Sequence, residues 1–248
     1  MKGRPKADDE HERMKHMDAL VTMEHLSKAY DRGVVLNDLS LTIRPGRIVG
    51  VVGPNGCGKT TMFKILAGLI NDYQGKVEID GHKPGVYTKS VVSYLPEKTY
   101  LGDWMKARDA LQVFADFYAD FDLRKAEELL SRFRLEPKMR LKTMSKGMQE
   151  KLQLILVMSR AAKLYILDEP LSGIDPAARD SILDIILSNY SENATVMLST
   201  HLIYDVERIF DDIVVMDYGR LVAADSADHL REASGMSLDQ YFREVFRC

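Results

Sequence analysis

The residues best suited to chemistry form the run Gly53–Thr60, which reads Gly-Pro-Asn-Gly-Cys-Gly-Lys-Thr. It matches the pattern G-x-x-x-x-G-K-S/T, in which glycines allow backbone N–H groups to surround phosphate oxygens. Lys59 supplies a positive charge for the terminal phosphates, and the Thr60 hydroxyl can bind magnesium. The run follows an apolar strand and opens a helix, so it predicts a nucleotide-binding loop. The predicted nucleotide contacts here are Gly53, Pro54, Asn55, Gly56, Cys57, Gly58, Lys59, Thr60 and Thr61.

Two adjacent carboxylates form a second candidate group. Leu164–Leu167 is a short apolar run typical of a buried strand, and Asp168 and Glu169 follow it directly. At the carboxyl end of such a strand, Asp168 can face the magnesium shell through water. Glu169 can polarise a water molecule aimed at the γ-phosphate. Because phosphoryl transfer depends mainly on positioning and charge compensation, this acid pair indicates nucleotide hydrolysis.

Hydrophobic patterning predicts the elements that position these groups. Short apolar runs rich in β-branched residues predict buried strands at Arg47–Val52, Ala194–Ser199 and Ile213–Met216. Helices are predicted over Lys59–Ile70 and Pro176–Tyr190. Strands that alternate with helices indicate a largely parallel sheet covered on both faces.

The middle and the two ends of the chain follow other patterns. Apolar residues recur at helical spacing through residues 103–160, which predicts a helical insertion at about 100–160. Residues 1–17 are densely charged and contain no apolar stretch for a secretory signal, so we expect a disordered tail before a domain spanning 18–235. Within 236–248, a capping box at Ser237 and Gln240 predicts a terminal helix. Its apolar stripe packs either on the protein's own core or on a partner.

Composition excludes several classes of protein. The 248 residues include 34 Lys and Arg against 37 Asp and Glu, giving a net charge of −3, so direct binding to nucleic acid is not expected. The longest unbroken apolar run, Leu154–Met158, falls far short of the roughly 20 residues of a membrane span. The two cysteines, Cys57 and Cys248, form no C-x-x-C pair and indicate neither a disulfide framework nor a zinc site. In its loop position, Cys57 is either a reactive thiol or a tolerated filler.

Further segments distinguish among the classes of protein that carry this phosphate loop. A GTPase should contain an Asn-Lys-x-Asp element, which is absent, and a small-molecule kinase would leave the helical insertion unexplained. Met144–Gln149 resembles the signature motif of ATP-binding cassette (ABC) ATPases, and Leu171–Asp175 resembles their D-loop. His201 matches their switch histidine, Tyr94–Glu97 falls at their Q-loop, and Tyr30 falls at their adenine-stacking aromatic. From about residue 20 to 235, the chain therefore resembles an ABC ATPase subunit.

The resemblance implies a role for each of these residues. Ser145 and Gly147 would hold the γ-phosphate across a dimer, and Asp175 would belong to the nucleotide-contacting D-loop. His201 would act in catalysis together with Glu169 and Lys59. Tyr30 either stacks on adenine or packs in the sheet.

The sequence departs from the family pattern at two places. Lys146 and Met148 replace residues of the usual Leu-Ser-Gly-Gly-Gln signature, and Lys146 either adds charge near the phosphate or points to solvent. Glu97 replaces the Q-loop glutamine and, with Asp168 and Glu169, would place three carboxylates near one metal ion. The implied magnesium ligands are Thr60, Glu97 and Asp168. Both departures resemble a bacterial branch of ABC ATPases that pair with separate membrane subunits, often exporters.

The resemblance implies an α/β P-loop NTPase fold with an N-terminal antiparallel β element and an inserted helical subdomain. Two chains, identical or different, would bind head to tail around ATP and Mg²⁺. A separate transmembrane permease subunit would use this closure for transport, with the present chain peripheral on the cytoplasmic face of the membrane. Trp104 and Met105 either line the groove for that partner or are buried. The alternative function, a soluble ABC ATPase acting on ribosomes or nucleic acid, is disfavoured by the single ATPase unit and the lack of basic surplus.

Overall fold

The computed structural model describes residues 19–31, 33–191 and 193–246, without the side chains of residues 177 and 178. The tail predicted at 1–17 lies outside these residues. In chain order, the strands of the described part are β1 (Val21–Tyr30), β2 (Gly33–Ile43), β3 (Ile48–Val52), β4 (Gln74–Ile79), β5 (Val92–Leu95), β6 (Leu164–Asp168), β7 (Thr195–Thr200), β8 (Asp212–Asp217) and β9 (Arg220–Ser226). Its α-helices are α1 (Lys59–Leu66), α2 (Val86–Val91), α3 (Ala107–Phe117), α4 (Leu123–Arg132), α5 (Lys146–Met158), α6 (Pro176–Asn189), α7 (Ile203–Val206), α8 (Ala227–Ser234) and α9 (Leu238–Val245).

The smaller sheet is antiparallel, with the strand order β2-β1-β4. Val21, Met23 and Leu26 of β1 are buried in a core that this sheet shares with α1. This sheet is the predicted N-terminal antiparallel element, to which β4 adds a third strand.

The larger sheet contains six strands in the order β5-β6-β7-β3-β8-β9. All its neighbouring strands are parallel except β8 and β9. Every residue of β3, β6 and β7 is buried, which explains their nearly continuous apolar sequences. The register pairs Val52 with Thr200 and Asp168 with Ser199. The phosphate loop, the acid pair and His201 therefore follow strands that end at the same edge of the sheet.

Helices α3, α4 and α5 form the predicted helical insertion. Leu111 and Phe114 of α3 and Leu129 and Leu130 of α4 are buried, as their helical spacing predicts. Met105 is also buried, whereas Trp104 is 74% exposed. Met105 therefore takes the buried alternative, whereas Trp104 is not buried, and its place at a partner groove stays a prediction.

Several short elements differ from the sequence-based expectation. Helix α1 ends at Leu66 rather than at Ile70, because Gly68 adopts a left-handed conformation with φ of 67°. Strand β5 and helices α2, α7 and α8 were not predicted. Each contains eight residues or fewer, too few to establish a hydrophobic period.

The terminal helix α9 begins with the predicted capping box. The N–H of Ser237 donates to Gln240 Oε1 at 3.2 Å, and the N–H of Gln240 donates to Ser237 Oγ at 3.2 Å. Leu238 is buried, and Tyr241 and Phe242 pack against the protein's own core rather than standing free for a partner. Among the described residues, no helix combines the length and hydrophobicity needed to cross a bilayer.

Candidate nucleotide site

The phosphate loop connects β3 to α1 and is shaped by glycines. Gly58 precedes α1 with φ of 109°, a conformation that side chains with a Cβ rarely adopt. A Cβ at this position would also lie 2.8 Å from the carbonyl oxygen of Val35. Glycine is therefore required both for the backbone turn and for close packing of the loop against β2.

Lys59 is folded back into the loop. Its Nζ donates to the carbonyl oxygens of Gly53 at 2.7 Å and Pro54 at 3.1 Å, and the side chain is 6% exposed. Backbone dipoles therefore hold the ammonium at the loop, where phosphate oxygens could replace the two carbonyls.

Cys57 is buried at the base of the loop, and burial raises the pKa of its thiol. Its N–H donates to the carbonyl of Pro54 at 3.2 Å, and its carbonyl accepts from the N–H of Gly219 at 3.0 Å. Burial and a raised pKa disfavour a thiolate, so the structure supports the filler interpretation over a reactive thiol.

Asp168 is almost completely buried at the end of β6. Its Oδ1 accepts a 2.7 Å hydrogen bond from Ser199 Oγ, whereas its Oδ2 has no protein partner. Burial raises the pKa of Asp168, and interactions with the Ser199 and Thr60 hydroxyls oppose this shift. The neighbouring Tyr94 hydroxyl is also buried without a partner, and burial together with the Asp168 charge raises its pKa.

Glu169 has a strained backbone and a fixed side chain. Its φ is 51°, a left-handed value that is uncommon for a residue with a side chain. Its N–H donates to Ser199 Oγ at 2.9 Å, and Oε2 lies 2.8 Å from His201 Nδ1. Ser199 therefore links the Asp168 carboxylate to the Glu169 backbone, and His201 orients the Glu169 carboxylate.

The expected magnesium ligands fit the metal's chemistry. Mg²⁺ usually takes one or two protein carboxylates together with substrate phosphates and water. The orphaned Oδ2 of Asp168, the Thr60 hydroxyl that opposes the raised pKa of that carboxyl, and the nearby charge of Glu97 suit this pattern. Among the described residues, no three His, Cys, Asp or Glu side chains group to hold an ion by themselves, and the expectation of three carboxylates near one metal ion stays a prediction. Glu169 is paired with His201.

A cavity of about 520 Å³ joins these groups. Its lining residues are Val35, Asn55, Gly56, Gly58, Lys59, Thr60, Thr61, Glu97, Glu169, Ser172 and His201. Most of the residues proposed from sequence for phosphate binding and catalysis are thus brought to one place.

Seven expected nucleotide contacts do not line this cavity. Three of them, Gly53, Pro54 and Cys57, belong to the phosphate loop itself, and the other four lie elsewhere in the chain. Tyr30 ends β1, is 47% exposed, and has Lys28 Nζ 4.9 Å from its ring centroid. Ser145 begins α5 as its N-cap and accepts a hydrogen bond from the N–H of Met148 at 3.3 Å. Gly147 lies in the first turn of α5, with open space where a Cβ would stand. Asp175 immediately precedes α6.

The sequence-based reasoning missed Ser199, Ser172 and Val35. Ser199 is the most informative, because its hydroxyl contacts both acids. The available signal was its position at the end of β7, two residues before His201. Identifying its partner required the register that places β7 beside β6.

The chain is similar to known transporter components in sequence. A family profile described as ABC transporter matches residues 36–172. The ABC-type transporter ATP-binding protein EcsA of Bacillus subtilis is 30% identical over 239 residues, covering 92% of this chain and 96% of EcsA. The daunorubicin resistance ATP-binding protein DrrA3 of Streptomyces coeruleorubidus is 30% identical over 237 residues, covering 92% of this chain and 75% of DrrA3.

The chain is also similar to solved structures. An ATP-binding subunit of an ABC transporter superposes with a TM-score of 0.83 at 29% identity, covering 92% of this chain and 100% of that one. A dimeric ATP-binding cassette bound to ADP and Pi superposes with a TM-score of 0.73 at 20% identity, covering 83% of this chain and 98% of that one. Because the sequence identity is only 20%, the similarity to this second structure shows a shared fold and nothing more.

Proposed function

Because this chain belongs to the ABC transporter family as an ATP-binding subunit, we propose that it hydrolyses ATP within a head-to-tail dimer and powers a separate transmembrane subunit. The observation that carries this proposal is the cavity in which Lys59, Glu169 and His201 meet. The residues that line this cavity suit phosphoryl transfer, which requires a binding loop for the phosphates, compensation of their charge and an oriented water molecule.

The site residues divide the work of hydrolysis. The Lys59 ammonium exchanges the Gly53 and Pro54 carbonyls for phosphate oxygens and so compensates their charge. Glu169 accepts a proton from the attacking water, and His201 holds the carboxylate through Nδ1. Thr60 and Asp168 would hold magnesium, with Glu97 beside them, and the ion would supply positive charge against the phosphates.

A second subunit accounts for the residues outside the cavity. Ser145 and Gly147 stand at the start of α5 and do not line the phosphate cavity of the same chain. In a head-to-tail dimer, these residues of one chain complete the γ-phosphate site of the other, with the D-loop residue Asp175 nearby. A helix N-terminus favours an anion, which suits this contact. The dimeric ABC structure named above supports the arrangement by its fold.

An apolar groove of about 690 Å³ suits the membrane subunit. It runs between the core and the helical insertion, and its lining includes Tyr94, Pro96, Phe114 and Phe117. Phe117 is 79% exposed, and exposed apolar surface of this kind typically marks a protein contact. Because Tyr94 and Pro96 directly precede Glu97, an occupant of the groove would press on the segment that reaches the nucleotide cavity. We assign the groove to a cytoplasmic segment of the permease, and we propose on this basis that the chain is peripheral on the inner face of the membrane.

The relative named for daunorubicin resistance supports an exporter-like role, and relatives named as transporter components support transport over action on ribosomes or nucleic acid.

The test of hydrolysis compares Glu169→Gln with Lys59→Ala by size exclusion with ATP and magnesium. Glu169→Gln keeps the shape of the side chain but loses the base, so a stable ATP-bound dimer accumulates. Lys59→Ala loses phosphate affinity and stays monomeric. Wild-type turnover in Glu169→Gln would refute the catalytic assignment.

The test of the membrane partner is co-purification from detergent extracts. Wild type should bring down a hydrophobic subunit, and Phe117→Glu should lose it while keeping ATP hydrolysis. Val222→Glu is the matched control, because Val222 is 48% exposed on β9, at the opposite edge of the large sheet from β5. Recovery of ribosomes or DNA instead would favour the soluble alternative.

A further inference from the structure

Lys146 connects the start of α5 to the loop that follows Glu169. Its Nζ donates to the carbonyl oxygen of Ser172 at 3.2 Å and lies 3.6 Å from Glu150 Oε1. The N–H of Ser172 in turn donates to the carbonyl oxygen of Glu169 at 3.0 Å. A short path of hydrogen bonds therefore runs from the first residue of α5 to the backbone of the glutamate at the nucleotide cavity.

Stability of its own helix does not explain Lys146. A cation at the first helical position opposes the helix dipole, and α5 has no acidic residue in its first turn. The pair with Glu150 also has the weaker order, since a glutamate preceding a lysine by four residues stabilises a helix better than the reverse. The hydrogen bond from Lys146 to Ser172 therefore explains why a lysine stands at this position.

The loop after Glu169 is shaped to receive this side chain. Gly173 has φ of 72°, and a Cβ there would lie 2.1 Å from Lys146 Nζ. The ammonium thus occupies the space that a side chain at residue 173 would fill. Ser172 also lines the nucleotide cavity, so a shift of this loop reaches the site directly.

We propose that Lys146 is a positioning residue for Glu169, linking the start of α5 to the catalytic carboxylate of the same chain. The inference rests on the proposed dimer, in which Ser145 and Gly147 contact the nucleotide of the opposite site. Engagement of that nucleotide moves the start of α5, and Lys146 carries the movement through Ser172 to Glu169. Each site thereby responds to occupancy of the other.

The experiment compares Lys146→Met, which keeps length but loses the donor, with Lys146→Arg, which keeps a donor. Lys142→Met is the control, because Lys142 is an exposed lysine preceding the same helix. We expect Lys146→Met to lower kcat about tenfold, to leave KM for ATP within twofold, and to reduce the Hill coefficient for ATP. Lys146→Arg should recover at least half of kcat, and Lys142→Met should match wild type. A melting curve equal to that of wild type would accompany these changes.

Introducing Lys146→Met into the Glu169→Gln variant distinguishes a positioning role for Lys146 from direct contact with phosphate. If Lys146 acts through Glu169, the double variant forms its ATP-dependent dimer with the affinity of Glu169→Gln alone, and its residual turnover does not fall further. A weaker dimer or a raised KM would overturn the inference and assign Lys146 to direct phosphate contact. Unchanged kcat and Hill coefficient in Lys146→Met would overturn it as well. Failure of Glu169→Gln itself to form an ATP-dependent dimer would instead refute the proposed function.

Discussion

His201 Nδ1 lies 2.8 Å from Glu169 Oε2, so the histidine and the carboxylate form a contact pair at the nucleotide cavity. The Glu169 side chain is 11% exposed, whereas His201 is 45% exposed. The carboxylate is therefore held mainly by the protein, and the histidine remains accessible to a bound nucleotide. This contact makes His201 the residue that orients the proposed base.

We expect His201→Ala to lower kcat about 100-fold, within the usual range for general acid–base contributions, because Glu169 loses the group that fixes its carboxylate. His201→Gln can still donate a hydrogen bond and should recover part of this loss. Steady-state ATP hydrolysis measures both variants. His229→Ala is the control, since His229 of α8 pairs with Asp225 of β9 and not with a cavity residue. A His201→Ala enzyme as active as wild type would exclude the orienting role.

Asp168→Asn should stabilise the protein without nucleotide while abolishing hydrolysis. Burial raises the native pKa of Asp168, so ionisation of this group lowers stability progressively as the pH rises from the unfolded pKa, and the full cost is reached above the native pKa. Below the unfolded value of about 3.9, the carboxyl is neutral in both states and this cost disappears. At pH 7 the variant should gain roughly 1–3 kcal/mol, the usual desolvation cost of an unpartnered buried polar group.

Denaturant unfolding of wild type and Asp168→Asn with a chelator, from pH 4 to 8, checks this expectation. The difference between the two proteins should shrink as the pH falls. Asp116→Asn serves as the control because its carboxylate is exposed. An equal stability at every pH would mean that the Asp168 charge is already compensated in the nucleotide-free protein.

Tyr30→Ala should weaken ATP binding about 5- to 150-fold, by analogy with the roughly 1–3 kcal/mol of aromatic–base stacking in nucleic-acid sites. Tyr30→Phe keeps the ring and should lose much less. Because stacking uses the face of any purine, ATP and GTP should be affected alike. Calorimetric titration of both nucleotides measures the change, and equal affinity in Tyr30→Ala would assign Tyr30 to packing within the β1 region.

Glu97→Gln should bind nucleotide with a weaker dependence on magnesium. Glu97 lines the cavity, and its charge contributes to the raised pKa of Asp168. Two nearby carboxylates repel the phosphates unless a cation is present, so the neutral variant relies on the metal less. Titrating ATP against both proteins with magnesium and with a chelator measures this difference. Identical magnesium dependence would confine Glu97 to the contact between its loop and the membrane subunit.

The sequence by itself determined the phosphate loop, the acid pair and the parallel-sheet fold. Gly53–Thr60 is a contiguous motif whose backbone geometry depends on its own glycines, and Asp168 and Glu169 simply end an apolar strand. The long helices and fully buried strands were predictable because hydrophobic periodicity and apolar runs record local burial. Short elements such as β5 and α7 carry too few residues for that signal.

Only the tertiary structure decided how distant residues pair. The parallel register places Ser199 beside Asp168 and Glu169. The fold of the loop after Glu169 brings the Ser172 carbonyl within hydrogen-bonding distance of Lys146 Nζ. The pairing of Glu169 with His201 is likewise a tertiary contact, formed between residues 32 positions apart in the sequence. The direction of a side chain depends on backbone dihedrals and neighbouring strands, which spacing along a sequence does not record.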